Sequence, residues 1–165
     1  MIKKSIQLSK VDQILKPIGP DYVGAYLNTG IQLYDLIEWV LLQTGKSDIT
    51  IVTFSISEEF IRKIWMLREM GLIGKVTLIL DFKAIQKTQQ LIRFAQNVFS
   101  DIHFSKTHAK VVLIESSRYQ VSITGSQNCT RGNREESGIV TTDPQINKKL
   151  QTEIQRIIEN GIHRG

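Results

Sequence analysis

Apolar positions in the first hundred residues alternate between two spacings. Three stretches repeat them at intervals of three and four residues, which is typical of amphipathic helices. Two β-branched apolar runs between them indicate buried strands. In chain order the prediction is helix 31–45, strand 48–54, helix 55–74, strand 75–82 and helix 83–99. Gly45 predicts the end of the first helix, Ser57 the N-cap of the second, and Gly71 or Gly74 its end.

The pattern changes after residue 100, where apolar runs follow one another closely. Four strands are predicted, at 101–105, 109–116, 119–125 and 137–142. The break "SSR" (116–118) is short enough for a hairpin, so the strands on either side of it are expected to be antiparallel. A final amphipathic helix, 143–161, opens with Asp143 as its cap and Pro144 at its first position.

Alternating helices and strands followed by a hairpin indicate an α/β fold with a mixed sheet and helices on both faces. Residues 1–30 contain two prolines and three glycines and predict no clear element. The whole chain, 1–165, is long enough for one domain with a sizeable core.

Composition narrows the class of protein. Lys and Arg exceed Asp and Glu by 21 to 16, giving a formal charge of +5 that favours polyanionic partners such as nucleic acid. One cysteine, Cys129, excludes an intrachain disulfide framework and fits a reducing compartment. The N-terminus lacks the apolar core of a signal peptide, and no apolar run is long enough to cross a bilayer. The expected location is the cytoplasm.

Reactive and hydrogen-bonding side chains stand next to two of the predicted strands. His108 and Lys110 stand at the start of the predicted strand 109–116, and Gly125, Ser126 and Asn128 follow the next one. In a hairpin the start of the first strand lies beside the end of the second, so these side chains are expected to converge at one edge of the sheet.

An ammonium, a hydroxyl and an amide together suit the oxygens of a phosphate. A histidine aimed at that phosphate can act as nucleophile or proton carrier. No cluster of carboxylates or cysteines has metal-ligand spacing, so we expect no metal and no cofactor.

The segment "HAKVVLIE…TGSQN" resembles the His-x-Lys signature of the phospholipase D superfamily, followed by its Gly-Ser-x-Asn segment. The resemblance implies that His108, Lys110, Ser126 and Asn128 are catalytic, with Gly125 and Glu115 supporting. The family usually has aspartate where Glu115 stands. It also carries a downstream glutamate that orients the histidine, and Glu136, or else Glu135, fits that role.

The family's reaction uses two histidines, and this chain has one motif. Neither His103 nor His163 has a lysine two residues later. The resemblance therefore implies that each chain is one phospholipase D-like half-domain and that a homodimer supplies the second His108. Short members of this kind resemble bacterial endonucleases that need no metal.

Several interpretations stay open at this point. The leading function is a phosphodiesterase acting on DNA or RNA, with Arg131 and Arg134 either contacting the nucleic-acid backbone or pairing with the neighbouring glutamates. The alternatives are a lipid-directed phosphodiesterase or transferase of the same superfamily, and a DNA-binding module that catalyses nothing.

Overall fold

The computed structural model describes residues 9–87 and 89–161. Seven strands form one sheet, in the order β1-β7-β6-β5-β2-β3-β4. The strands are β1 (Val23–Asn28), β2 (Ser47–Thr53), β3 (Ile73–Asp81), β4 (Asp101–Ser105), β5 (Val111–Glu115), β6 (Gln120–Gly125) and β7 (Glu136–Thr141). The helices are α1 (Leu33–Thr44), α2 (Glu58–Glu69), α3 (Lys83–Lys87), α4 (Gln89–Val98) and α5 (Pro144–Glu159).

The sheet is mixed, as the sequence pattern predicts. Strands β2, β3 and β4 are parallel neighbours joined by helical crossovers, whereas β5, β6, β7 and β1 are antiparallel to their neighbours. The expected hairpin is β5–β6, and Ser116 closes its turn by accepting hydrogen bonds from the backbone of Arg118 and Tyr119.

Helices cover both faces of the sheet, which confirms the predicted architecture. Helices α1, α2 and α4 pack on one face, where the larger core lies, with side chains such as Leu36, Ile61 and Leu78 fully buried. Helix α5 packs on the opposite face, where Ile154 meets Val52 and other buried side chains. Burial of these apolar stripes holds the layers together.

The residues predicted to begin and end helices do so in the structure. The hydroxyl of Ser57 accepts a hydrogen bond from Phe60 N at 3.2 Å, and the carboxylate of Asp143 accepts one from Gln145 N at 2.9 Å. Gly71 has a positive φ of 77° after α2, so it ends that region, and Gly74 already lies within β3. Only glycine adopts such a φ without strain.

The first thirty residues and the third predicted helix differ from the sequence prediction. Strand β1 lies within the first thirty residues, where no element was expected. The predicted helix 83–99 is represented by α3 and α4, on either side of residue 88.

Candidate active site

The loop at residues 106–110 joins β4 to β5 and carries both cationic candidates. His108 and Lys110 were expected at the start of the strand, but β5 begins only at Val111. The reason is that strand pairing stops at Val111, which pairs with Val52 of β2 and with Thr124 of β6. No residue before it in the loop is paired in these ladders. A contact of 3.4 Å from Gly125 N to Lys110 O still joins the loop to the end of β6. The backbone before β5 therefore lies beside the end of β6, as the hairpin predicts.

Lys110 and the aromatic ring of Phe54 hold the imidazole of His108. Lys110 Nζ lies 3.3 Å from His108 Nδ1 and donates a hydrogen bond of 2.8 Å to His108 O. The ring of Phe54, which directly follows β2, is tilted by 40° against the imidazole, with the ring centroids 4.7 Å apart. His108 is exposed, so its ring is held by Phe54 and Lys110 and is otherwise open to solvent.

Ser126 joins the end of β6 to the start of β7. Its hydroxyl donates to Glu136 Oε2 and accepts a bond of 3.0 Å from Ser137 N, while its own N–H donates to Ser137 O at 2.9 Å. Glu136, the first residue of β7, is thereby held at the site, whereas Glu135 is exposed one residue before the strand. Of the two glutamates, Glu136 is the one joined to the candidate residues.

Asn128 lies against the end of β2. Its Oδ1 is 3.5 Å from Thr53 Oγ1, which also accepts a bond of 3.2 Å from Cys129 N. Burial raises the pKa of the Cys129 thiol to about 12, so the group stays protonated. That state fits a packing residue and not a nucleophile.

Gln127, between the two candidate polar residues, points the other way into the protein. Its amide accepts a hydrogen bond from the hydroxyl of Tyr26 and donates one of 2.7 Å to Ile31 O. Burial, and then the negative charge of Glu136, raises the pKa of Tyr26 to about 12, which keeps this hydroxyl a donor. The segment at residues 125–128 is thus anchored on both sides.

Gly125 and Gly138 face each other across β6 and β7 just beneath Ser126. A Cβ on Gly125 would overlap the carbonyl oxygen of Ser137, and a Cβ on Gly138 would overlap the hydroxyl of Tyr26. The absence of side chains lets the two strands and Tyr26 approach closely enough to place Ser126 and Glu136 together.

Glu115 lies at the other end of the β5–β6 hairpin, opposite Gln120. Its carboxylate accepts a hydrogen bond from Gln151 Nε2, which also bonds Asn147 Oδ1 at 2.9 Å. The structure therefore places this acid where it fastens β5 to α5 and does not bring it to His108.

The remaining candidates are two arginines and two histidines. Arg131 and Arg134 are exposed on the connection between β6 and β7, and Arg131 Nη1 is 3.9 Å from Glu59 Oε1. His103 is half-buried on β4 at the sheet edge, and His163 lies outside the described residues.

Sequence reasoning missed Thr53, Phe54, Tyr26 and Asp81. The carboxylate of Asp81, at the end of β3, accepts a hydrogen bond of 2.9 Å from Thr107 N, directly before His108. The sequence offers one signal for Asp81, which is that a charged residue ends the apolar run "VTLILD".

Within residues 9–87 and 89–161, no group of three or more His, Cys, Asp or Glu side chains is arranged to hold a metal ion. None of the helices described there is long and apolar enough to cross a membrane.

Residues 40–158 match the family model described as "Cardiolipin synthase, PLD-like domain". No curated protein matched the sequence.

Solved structures show the same fold at low sequence identity. NucT from Helicobacter pylori is 16% identical with a TM-score of 0.66, over 87% of this chain and 99% of that chain. Nuc from Salmonella typhimurium, a phospholipase D family member, is 14% identical with a TM-score of 0.67 over the same shares. The archaeal chromatin protein TrmBL2, described with a novel mode of DNA binding, is 10% identical with a TM-score of 0.60, over 87% of this chain and 54% of that one.

Proposed function

The chain belongs to the PLD-like domain family of the phospholipase D superfamily, and we propose that it is a metal-independent phosphodiesterase that cleaves nucleic acid internally. The observation that supports this most is that the loop carrying His108 and Lys110 is hydrogen-bonded to the end of β6, directly before Ser126 and Asn128. These groups match the family's motif residue by residue, and a phosphate diester is the substrate that their chemistry suits.

In the proposed reaction, the phosphate oxygens lie among Lys110, Ser126 and Asn128. A ring nitrogen of His108 forms a bond to phosphorus while the bond to the leaving oxygen breaks, which gives a phosphohistidine. A second, protonated histidine gives its proton to the leaving oxygen. Water then attacks phosphorus, loses a proton to that second histidine and releases His108.

The state of the His108 ring matters for this step. Lys110 Nζ faces Nδ1, so in this arrangement the proton of the neutral ring belongs on Nε2. Attack through Nε2 requires that proton on Nδ1 instead, with an acceptor to hold it there. We assign the orienting role to Glu136, which is held at the site through Ser126.

The second histidine comes, in this proposal, from another copy of the chain. Among the described residues His103 lies on β4 and lacks the lysine two positions later. A two-fold dimer supplies a second His108 by symmetry. The open surface around His108 and Ser126 leaves room for the partner's half of the site.

Nucleic acid is proposed as the substrate because the chain is basic and Arg131 and Arg134 are exposed beside the site. A lipid phosphodiester is the second candidate, favoured by the cardiolipin synthase description of the matching family model. A DNA-binding module without turnover is the third, since TrmBL2 shares this fold.

One assay separates the three candidates. Purified protein is incubated with plasmid DNA and, separately, with phosphatidylcholine, each with excess EDTA. We expect nicked or linear plasmid and no choline release. Choline release without DNA cleavage would select the lipid reaction, a mobility shift without cleavage would select the binding module, and cleavage only after adding magnesium or zinc would contradict the metal-free mechanism.

A further inference from the structure

Among the described residues, none covers one end of the sheet on the face that carries α5. Helix α5 packs from β6 to β4, and the exposure of the side chains beyond it shows that no described element covers β7 and β1 there. The register pairs Ala25 with Ile139 and Leu27 with Ser137, so these residues and Val23 point to the same side. We define the bare face as Val23, Ala25, Leu27, Ser137 and Ile139.

The bare face is apolar and accessible. Val23 is 69% exposed, Leu27 71% and Ile139 46%. Strand β1 is also the edge of the sheet, and its sequence "VGAYLN" contains none of the charged residues or prolines that usually protect an edge. Adjoining exposed apolar side chains of this kind mark a surface that another molecule covers.

The bare face is continuous with the candidate active site. Ser137, one of its members, accepts a hydrogen bond from Ser126 N through its carbonyl oxygen and donates one from its N–H to the Ser126 hydroxyl. The next cross-strand pair, Asn28 and Glu136, contains the proposed orienting carboxylate. A molecule that binds to the bare face therefore lies next to the exposed side of the candidate site.

A second copy of the chain fits this surface by its chemistry. The bare face carries no charge, so two copies can meet there without like-charge contact although each chain has a formal charge of +5. A two-fold contact uses the same patch on both partners, which an uncharged apolar patch satisfies. Nucleic acid would instead require cationic side chains.

We propose that the bare face is the contact between the two subunits of the active dimer. This inference rests on the proposed function, since it supplies the place at which the partner's His108 reaches the site. The two-fold axis passes near the site end of β1 and β7, beside Leu27 and Ser137.

The test is Leu27→Glu, with Leu42→Glu as the matched control. Leu42 is a leucine of α1 that is 63% exposed and lies outside the bare face. Leu27→Glu should sediment as a folded monomer and lose at least about a hundredfold in DNA cleavage, because a buried unpaired carboxylate disfavours the contact. Leu42→Glu should remain dimeric and active. Circular dichroism checks folding, and Val23→Glu replaces Leu27→Glu if the latter unfolds.

The outcomes separate this inference from the proposed function. A dimeric wild type whose Leu27→Glu and Val23→Glu variants stay dimeric and active would overturn the bare face as the contact and leave the composite site standing. A wild type that is monomeric and active would overturn the composite site itself.

A different observation carries a second inference, about the loop that holds His108. Asp81 is only 4% exposed, and each of its oxygens accepts a backbone hydrogen bond of 2.9 Å, from Thr107 N and from Lys83 N. The hydroxyl of Thr107 in turn accepts a bond of 3.1 Å from Ala109 N. The buried carboxylate thus holds the N–H of Thr107 before His108, and the Thr107 hydroxyl holds the N–H of Ala109 after it.

We infer that Asp81 is a positioning residue for His108. Burying a carboxylate is costly unless hydrogen bonds compensate. Here one of the two compensating donors, Thr107 N, belongs to the loop that presents the histidine, and the other, Lys83 N, begins α3. Asparagine has the same shape, but only its side-chain oxygen accepts hydrogen bonds. Its NH2 group, which is a donor, would then face one of the two backbone N–H donors.

Asp81→Asn should lower kcat at least about tenfold with little change in KM, because misplacement of a reacting group costs rate more than binding. Asp101→Asn, at an exposed carboxylate of β4 paired with Lys75, is the control and should keep wild-type kcat. NMR of the imidazole gives a readout independent of turnover: the His108 signals should shift in Asp81→Asn. If Asp81→Asn were less stable but kept the wild-type His108 signals and kcat, Asp81 would stabilise the fold without positioning His108.

Discussion

Lys110 is the cation nearest to His108 among the described residues, and its side chain is held by its own loop. Its ammonium donates a hydrogen bond of 2.8 Å to the carbonyl of His108, so it is positioned before any substrate arrives. Preorganised charge of this kind stabilises the negative charge that develops on phosphate oxygens in the transition state.

We predict that Lys110→Met lowers kcat at least about a hundredfold, which is typical for loss of one preorganised charge, and that His108→Ala abolishes cleavage. Both side chains lie on the loop outside the core, so unfolding temperatures should stay near the wild-type value. Lys106→Met removes an exposed lysine of the same loop and is the control in steady-state assays. Near-wild-type cleavage by His108→Ala would refute the assignment of the nucleophile.

The motif residues were accessible from sequence, whereas their supports were not. His108, Lys110, Ser126 and Asn128 form a local pattern, and a hairpin prediction brings the two halves together. Asp81 and Thr53 act on backbone groups 26 and 76 residues away, to Thr107 N and Cys129 N. No local spacing encodes such contacts, because they depend on how β2 and β3 align with the site loops.

At the scale of elements, the pair Gly125–Gly138 lets β6 and β7 carry Ser126 and Glu136 to one place. Tyr26 reaches across from β1 to fill the space above Gly138 and bonds Gln127 from there. The close approach of β1, β6 and β7 therefore requires glycine at position 138.

Gly138→Ala should destabilise the protein by about 1–3 kcal/mol, the usual cost of an extra methyl group in a packed region. Tyr26 must move away, which breaks its bond to Gln127, so cleavage should fall as well. Gly132→Ala, where the added carbon meets nothing within 4 Å, is the control. Urea unfolding measures the difference, and equal midpoints for the two variants would show that Tyr26 accommodates the methyl group freely.

Helices and buried strands followed directly from periodicity, and β1 did not. Its six residues include Gly24, and alternate side chains such as Val23 and Leu27 are exposed instead of buried. Sequence patterns identify strands by burial of one face. A strand whose apolar side chains stay exposed in its own chain lacks that signal.

For the whole molecule, the formal charge of +5 and the exposed arginines predict electrostatic binding of nucleic acid. Contacts from lysine and arginine to phosphates release counterions, so the logarithm of affinity should fall linearly with the logarithm of salt concentration. Fluorescence anisotropy with the His108→Ala variant measures binding without cleavage. An affinity that is flat from low to physiological salt would argue for a small phosphodiester as substrate.

The composite site is the central claim, because one chain carries a single His-x-Lys motif and the proposed reaction uses two histidines in different protonation states. The most direct measurement mixes wild-type and His108→Ala subunits under full exchange and follows DNA cleavage against the wild-type fraction. If each site needs both histidines, heterodimers are inactive and an equal mixture keeps about a quarter of the wild-type activity. An equal mixture that keeps about half, in simple proportion to the wild-type fraction, would mean that each chain works alone and would contradict the composite site.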